Sequence, residues 1–246
     1  MKAKTKPGLL FTIGVVALLA LNGCAATRER RGAPETSGFL GDYSKLEKNP
    51  AFPASLVYVK PGVVWSRYSS IQLESAGLYL TDSSSQMSAE DKERLAGMLY
   101  NTLRDQLDQT FVLTPSPGPN TLRIRVALTQ AQGAKVAARV VTTVVPQLRV
   151  LTTVGGLATD TAGTVGAASA EMEAVDSTTG ERLAAAVDQR AGTKALFAER
   201  AYTKWGDVQA AINYWSKRMV WQLARAGVQL KSGAVVPTEP EPERSL

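Results

Sequence analysis

The 246-residue sequence contains no histidine and a single cysteine, Cys24. With one cysteine the chain cannot form an internal disulfide framework, and without histidine it cannot form a Cys/His zinc site or use a histidine base. Hydrophobic residues make up 44% of the chain and charged residues 20%. This balance is typical of a folded globular domain rather than of a disordered chain.

The chain also lacks a hydrophobic run that could span a membrane. Its most apolar stretch, Leu9 to Leu21, has 13 residues, whereas a spanning helix needs about 20. Lysines 2, 4 and 6 precede this stretch, and Asn22-Gly23-Cys24 follow it. A positive start followed by a short apolar run indicates a secretory leader, which we place at residues 1–23.

The end of the leader resembles the bacterial lipobox, in which cleavage precedes a cysteine that receives lipid. Cys24 would then be the first residue of the mature chain, anchored in a membrane by its acyl chains. Ala25 follows it rather than aspartate, and the resemblance to Gram-negative sorting rules therefore implies the periplasmic face of the outer membrane. The alternatives are general secretory cleavage near Ala25-Ala26 and an uncut anchor helix.

Charge gives no sign of nucleic-acid binding. The whole chain has a formal net charge of +6, but loss of the three leader lysines leaves 25 basic and 22 acidic residues, a net charge of +3. A nucleic-acid partner is therefore not expected.

The rest of the chain predicts one α+β domain at 38–230, after a flexible lipidated tether at 24–37. The tether is polar and contains Gly32 and Pro34. The residues from 231 to 246 alternate proline with glutamate, which predicts a disordered tail. We expect the domain to have a mixed or antiparallel sheet with two main amphipathic helices packed on one face.

Periodicity locates the main elements of that domain. Leucines 95, 99, 103 and 107 predict a helix from 88 to about 109, and a second helix is predicted from about 204 to 226. Alternation from Leu122 to Thr129 predicts a strand with one buried and one basic face. Alternation from 167 to 191, with a turn at 176–180, predicts a hairpin in which Glu171 and Glu173 lie near Arg123 and Arg125.

Two features remain open to more than one interpretation. On the last helix, Tyr214, Arg218 and Trp221 form a second stripe that either packs on a neighbouring element or forms a partner surface. The segment 133–166 is apolar and basic, which fits ordinary sheet or helix structure, or an insert that contacts a membrane or a second copy. A phosphate-binding loop is disfavoured because the segment lacks GxxxxGK[ST].

An ordered series of motifs resembles domain-of-unknown-function family 3313, an uncharacterised family of bacterial lipoproteins. The motifs are Ser37-Gly38-Phe39-Leu40, Trp65-Ser66-Arg67-Tyr68, Thr121-Leu122-Arg123-Ile124-Arg125-Val126, Thr179-Gly180-Glu181-Arg182-Leu183 and Lys204-Trp205-Gly206-Asp207-Val208. The resemblance implies an envelope location. It brings no catalytic residue, cofactor or metal ligand.

The function expected from the sequence is therefore non-catalytic. We expect a scaffold or binding module, held by lipid on Cys24, with an envelope protein partner or with self-association through 133–166. The alternative is a cell-wall hydrolase that uses carboxylates. Its candidate residues are Glu74, Asp82, Glu171, Glu173, Asp176 and Asp188. Glu171 and Glu173 share one strand face, which favours a solvated or ion-paired face over a catalytic pair. Arg67 and Tyr68 beside Trp65 fit either ligand binding or packing at the core edge.

Overall fold

The computed structural model describes residues 27–29, 34–50, 52–80, 87–133, 166–192 and 203–240. The leader, Cys24, Asp82 and all of the 133–166 segment except its two end glycines lie outside the described residues. Within the described ranges, no helix combines the length and hydropathy that a membrane span requires.

A mixed sheet forms the centre of the fold. Its strands are β1 (Thr27–Glu29), β2 (Glu47–Asn49), β3 (Phe52–Val59), β4 (Ser70–Leu73), β5 (Gly77–Leu78), β6 (Thr121–Gln132), β7 (Ala167–Asp176) and β8 (Arg182–Gly192). The order across the sheet is β2-β3-β8-β7-β6-β4, with β1 paired beside β8 and β5 beside β6. Only β4 and β5 run parallel to their neighbour, β6. The α+β class and the mixed sheet are confirmed.

Two long helices pack on one face of this sheet. Helix α1 (Ala89–Thr110) begins at Ser88, whose side chain accepts a hydrogen bond from the backbone N–H of Asp91 at 3.2 Å. Helix α2 (Gly206–Ala226) begins two residues after the predicted start and ends at Gly227, which has a φ of 106°. That left-handed conformation suits glycine and lets its N–H reach the last carbonyls of the helix. The apolar stripes of both helices enter one core with β6 and β7.

The predicted hairpin is formed by β7 and β8. Arg125 of β6 lies directly opposite Glu173 of β7, and the two side chains form an ion pair, as the charge pattern predicted. The hairpin contains one irregularity, a bulge between Ala174 and Val175 in the pairing with β8. Leu183 of β8 has no paired residue on β7 at this bulge, and its side chain enters the helix-side core. Ala185 and Val187 belong to the core of the opposite face.

The N-terminal part of the described chain packs on the sheet. We call residues 34–46 the N-terminal strap, because they lie across the sheet face opposite the helices. The backbone N–H of Ser37 donates to Glu171 at 2.6 Å, and Leu40 is buried against Ala185 and Val187. Strand β1 adds three residues of the expected tether to the edge of the sheet. The end of β8 offers β1 a free pairing edge, and Glu171 offers Ser37 a buried acceptor. The flexibility of the tether stays a prediction.

The described part of the C-terminal segment, residues 231–240, contains no helix or strand. Lys231 joins it to the body through a backbone hydrogen bond to the carbonyl of Thr110 at 2.9 Å. Val235 and Val236 are exposed. Disorder of the remaining tail stays a prediction.

Candidate binding groove

The helix-side face of the sheet is wider than the two helices that cover it. Helix α2 packs over β7 and β8, and α1 packs against α2. Strand β3 lies one position beyond β8, and only the three-residue strand β2 lies beyond it at this edge of the sheet. As a result Val59 is 60% exposed, although it belongs to an apolar strand. A groove with α2 as its wall runs along this edge.

The groove has a volume of about 520 Å³, within the 300–1,000 Å³ typical of small-molecule sites. Its surface is mostly apolar, and its main apolar residues are Val57, Val59, Trp65, Ala186, Met219 and Leu223. Small side chains of β8 form the floor and larger ones of α2 form the wall. An apolar ligand would therefore gain favourable burial without disturbing the core.

The polar inner part of the groove surrounds Asp188, a buried residue of β8. Its carboxylate accepts hydrogen bonds from the Ser55 hydroxyl and, at 2.6 Å, from Trp215 Nε1. Arg190 Nη1 lies 3.5 Å from Asp188 Oδ2, and its guanidinium lies 3.7 Å from the ring centre of Tyr214. The buried charge is thus balanced by a cation and by two donors, as a stable buried carboxylate requires.

The outer rim of the groove is basic. Arg218 and Arg225 stand seven residues apart on α2, and therefore on the same side of the helix. Arg218 Nη1 donates to the Tyr214 hydroxyl at 3.2 Å, and the Arg225 guanidinium lies 5.2 Å from the ring centre of Trp221. Of the two described acidic residues that border the groove, Asp188 is buried beneath α2, and Glu173 has its side chain on the opposite face of the sheet, paired with Arg125. The mouth therefore presents positive charge.

The structure divides the stripe that the sequence singled out as a partner surface. Tyr214 and Arg218 line the groove, whereas Trp221 lies half-buried beside Arg225 and outside the lining. A role for these three residues in binding a partner stays a prediction. Sequence reasoning missed Val57, Ala186 and Met219, because apolar residues at strand or helix spacing predict core positions. The number of predicted strands could have indicated the groove, since two helices cannot cover so wide a sheet.

Two of the candidate carboxylates on the opposite face, Glu171 and Glu173, are buried, and a third, Glu74, is partly exposed. Glu173 pairs with Arg125 and, at 2.8 Å, with Arg182 Nε. Glu171 is 0% exposed and accepts a hydrogen bond of 2.5 Å from the Tyr43 hydroxyl. Glu74 Oε2 lies 3.2 Å from Arg125 Nε. The sequence indicated a solvated or ion-paired face, and the structure shows that Glu173 and Glu74 are ion-paired and that Glu171 is buried.

Asp176, the last residue of β7, organises the hairpin turn. Burial raises its pKa, but hydrogen bonds from the backbone of Thr179 and Thr178 and from the Tyr68 hydroxyl outweigh that effect and leave the pKa below its usual value. Burial and the bond to Asp176 raise the pKa of Tyr68 to about 12. Arg67 Nη2 lies 2.8 Å from Asp176 Oδ2. Arg67 and Tyr68 therefore support the turn.

These contacts limit the chemistry that the described residues can perform. Each of the five described candidate carboxylates accepts a hydrogen bond from a side chain of another part of the fold; they are Glu74, Glu171, Glu173, Asp176 and Asp188. Within the described ranges, no three acidic or cysteine side chains are grouped so that they could hold a metal ion. The groove, by contrast, is an open apolar surface with basic groups at its rim.

Comparison with known proteins assigns the chain to a family. Residues 35–219, most of the sequence, match the family model described as "Protein of unknown function (DUF3313)". The chain belongs to the DUF3313 family. The DUF3313 match extends from the strap to Met219 of α2, so it includes β2 to β8 and half of the α2 residues that line the groove.

Solved structures provide only a distant likeness. Two structures of the PelC dodecamer from Paraburkholderia phytofirmans, one of them a point variant, each align with a TM-score of 0.35. Their sequence identities are 12% and 10%, and the alignments cover 65% and 66% of this chain and 92% and 96% of PelC. A likeness of this size carries no statement about function. No curated protein matches the chain.

Proposed function

We propose that the protein is a lipid-anchored binding module at the periplasmic face of the outer membrane, and that it binds through the α2 groove without catalysis. The observation that carries the proposal is an open apolar groove of about 520 Å³ whose buried charges are already balanced. Such a surface favours an apolar ligand. The hydrolase alternative gains no support, because each described candidate carboxylate is already held by donors from neighbouring elements.

The proposed location rests on the sequence and agrees with the position of β1. Cys24 lies three residues before Thr27, the first residue of β1. Three extended residues span about 10 Å, so acyl chains on Cys24 would hold the domain close to the bilayer surface. A binding module at that distance could exchange apolar ligands with the membrane. Self-association through 133–166, which we also predicted, concerns residues outside the described ranges.

The location is tested with the protein made in a Gram-negative host. We expect mass spectrometry to find an acylated Cys24 at the mature amino terminus, and fractionation to place the protein with outer membranes. The Cys24→Ala variant should lose the acyl mass and the membrane association while it still folds. An unmodified amino terminus, or wild-type protein in the soluble fraction, would contradict the proposal.

The groove is tested separately with Nile red, a neutral apolar fluorophore. We expect the purified mature chain to bind the dye with saturable fluorescence, and the Ala186→Trp variant to lose this binding because the indole fills the floor. Val112→Trp is the matched control, since Val112 is exposed and lies outside the groove. Equal dye binding by both variants would show that the groove is not the binding surface.

A further inference from the structure

We infer that the ligand of the α2 groove is an anionic amphiphile with a single alkyl chain, bound with its chain on the floor and its head group at Arg218 and Arg225. This inference rests on the proposed function, because it names the class of ligand for the same groove. It combines three observations: the shape of the floor, the sign of the charge at the rim, and the state of the buried carboxylates.

The floor has the form that a narrow, flexible chain requires. Ala184 and Ala186 of β8 leave space between α2 and β3, and Val57 and Val59 border that space on the other side. Met219 and Leu223 of α2 close it from above. Methionine adapts its shape to an apolar neighbour, which suits a chain without fixed geometry.

The rim has the charge that an anionic head group requires. Seven residues of α-helix span about 10 Å, so Arg218 and Arg225 mark two points along one side of the mouth. Guanidinium groups bind carboxylate and phosphate through paired hydrogen bonds. The bond from Arg218 to Tyr214 and the stacking of Arg225 on Trp221 fix both side chains near the opening.

The buried carboxylates do not offer a site for a cationic head group. Asp188 already accepts bonds from Ser55 and Trp215 and faces Arg190. Glu173 is shared between two arginines of the opposite face. A positively charged amphiphile would therefore meet Arg218 and Arg225, and among the described lining residues no acidic side chain is available to it.

A second copy of this chain fits the groove less well. In a twofold-symmetric contact the same patch faces itself, so two pairs of arginines would be brought together. Like charges in a desolvated contact oppose association. The charge pattern thus favours a small anionic ligand over self-association at this surface.

The test is a calorimetric titration of the full mature chain with monomeric decanoate, dodecanoate and tetradecanoate, compared with dodecanol and dodecyltrimethylammonium. We expect the affinity to rise about fourfold for each added methylene, because each is buried against the apolar floor. We expect dodecyltrimethylammonium to bind at least about tenfold more weakly than dodecanoate. Equal affinities for the three head groups would overturn the inference.

Variants locate the two parts of the ligand. Arg218→Gln with Arg225→Gln should weaken dodecanoate about tenfold and leave dodecanol and Nile red unchanged. Ala186→Leu and Ala186→Trp should weaken all three ligands, and Arg104→Gln, on the exposed side of α1, should change none. Unchanged dodecanoate binding in the double arginine variant would overturn the inference.

Each failure has a distinct meaning. If wild-type protein binds Nile red but binds dodecanoate no more tightly than dodecanol or dodecyltrimethylammonium, the proposed binding function is supported and the proposed ligand class is wrong. If it binds neither dye nor amphiphile, the proposed groove function fails as well. If light scattering shows a dimer that Ala186→Trp abolishes, the occupant of the groove is a second copy, and the anionic amphiphile is excluded.

Discussion

The two faces of the sheet are closed by different means, although the same strands form both. On the strap face, Arg182 donates to the carbonyl oxygens of Leu40 and, at 2.7 Å, of Asp42, while it also pairs with Glu173. The Phe39 ring lies between the Arg125 guanidinium, at 4.9 Å, and the Tyr79 ring, at 5.0 Å. Charged and polar groups thus attach a short segment that has few apolar side chains.

On the helix face, closure depends on apolar burial. Helices α1 and α2 bury continuous stripes of leucine, valine and tryptophan, and ionic contacts are concentrated at Asp188 and Arg190. A helix covers a strip about 10 Å wide, so two helices leave the β3 edge open. The strap face is thus covered by a segment that hydrogen bonds and ion pairs hold in place, whereas the apolar face keeps a groove.

The helix face is nonetheless tightly closed at the end away from Trp65, and this gives the largest expected effect. A Cβ at Gly192 would lie 2.1 Å from Asp207 Cγ, at the start of α2. Asp207 Oδ2 also accepts the backbone N–H of Gly166 at 2.7 Å, so the carboxylate has little freedom to move. We expect Gly192→Ala to lower the free energy of unfolding by about 3 kcal/mol, measured by urea denaturation.

Gly97→Ala is the matched control for this substitution. Gly97 lies inside α1, and a Cβ there would meet no atom within 4 Å. The control should raise the free energy of unfolding by about 0.5–1 kcal/mol, because alanine restricts the unfolded chain. A Gly192→Ala protein as stable as wild type would show that this end of the helix face is loose.

The polar face is tested by Glu173→Gln. The amide keeps the shape of the side chain but removes the charge shared by Arg125 and Arg182, so we expect a loss of about 2 kcal/mol in the free energy of unfolding. Hydrogen exchange should also become faster in the strap, around Leu40. Glu93→Gln on the exposed side of α1 should stay within about 0.5 kcal/mol of wild type. An equal loss in both variants would contradict the role assigned to Glu173.

Two neighbouring alanines of β8 compare the faces directly. Ala185 is buried beneath the strap, whereas Ala186 lines the groove. We expect Ala185→Leu to cost about 2 kcal/mol of unfolding free energy, because the strap side has no room for the larger side chain. Ala186→Leu should remain within about 0.5 kcal/mol of wild type. Similar losses in both variants, measured by chemical denaturation, would mean that the groove is closed in solution.

Much of this fold was predictable from local patterns. The leucine stripe of α1 and the alternation of β6 and β7 follow directly from burial on one side, and the ion pair of Arg125 with Glu173 follows from their positions on neighbouring strands. Glu171 was harder, because a strand glutamate is usually exposed. Its burial depends on Ser37 and Tyr43, more than 120 residues away in the chain.

The groove was not predictable from local patterns. Tyr214 and Arg218 were noticed as an unusual stripe, but nothing in their spacing shows that β3 lies beside β8 and beyond the reach of α2. The width of the sheet and the placement of the helices are tertiary properties. The sequence pattern around a residue such as Ala186 is therefore the same whether a helix packs over that residue or leaves it exposed in a groove.

The smallest expected effect concerns pH and the end of the sheet where Asp176 holds the hairpin turn. Because the pKa of Asp176 is lower in the folded than in the unfolded protein, its ionised form stabilises the fold at pH values above the unfolded pKa of about 3.9. This contribution is lost as the pH falls through the folded pKa.

We therefore expect Asp176→Asn to unfold more easily at neutral pH and to lose stability less steeply than wild type between about pH 5 and pH 2. Urea denaturation across this range measures both slopes. Asp105→Asn on the exposed side of α1 serves as the control, and its slope should match that of wild type. Parallel curves for wild type and Asp176→Asn would show that the turn gains nothing from the charge. The hydrogen bonds of Arg67 and Tyr68 with residue 176 would then stabilise the turn equally well without the negative charge of the carboxylate.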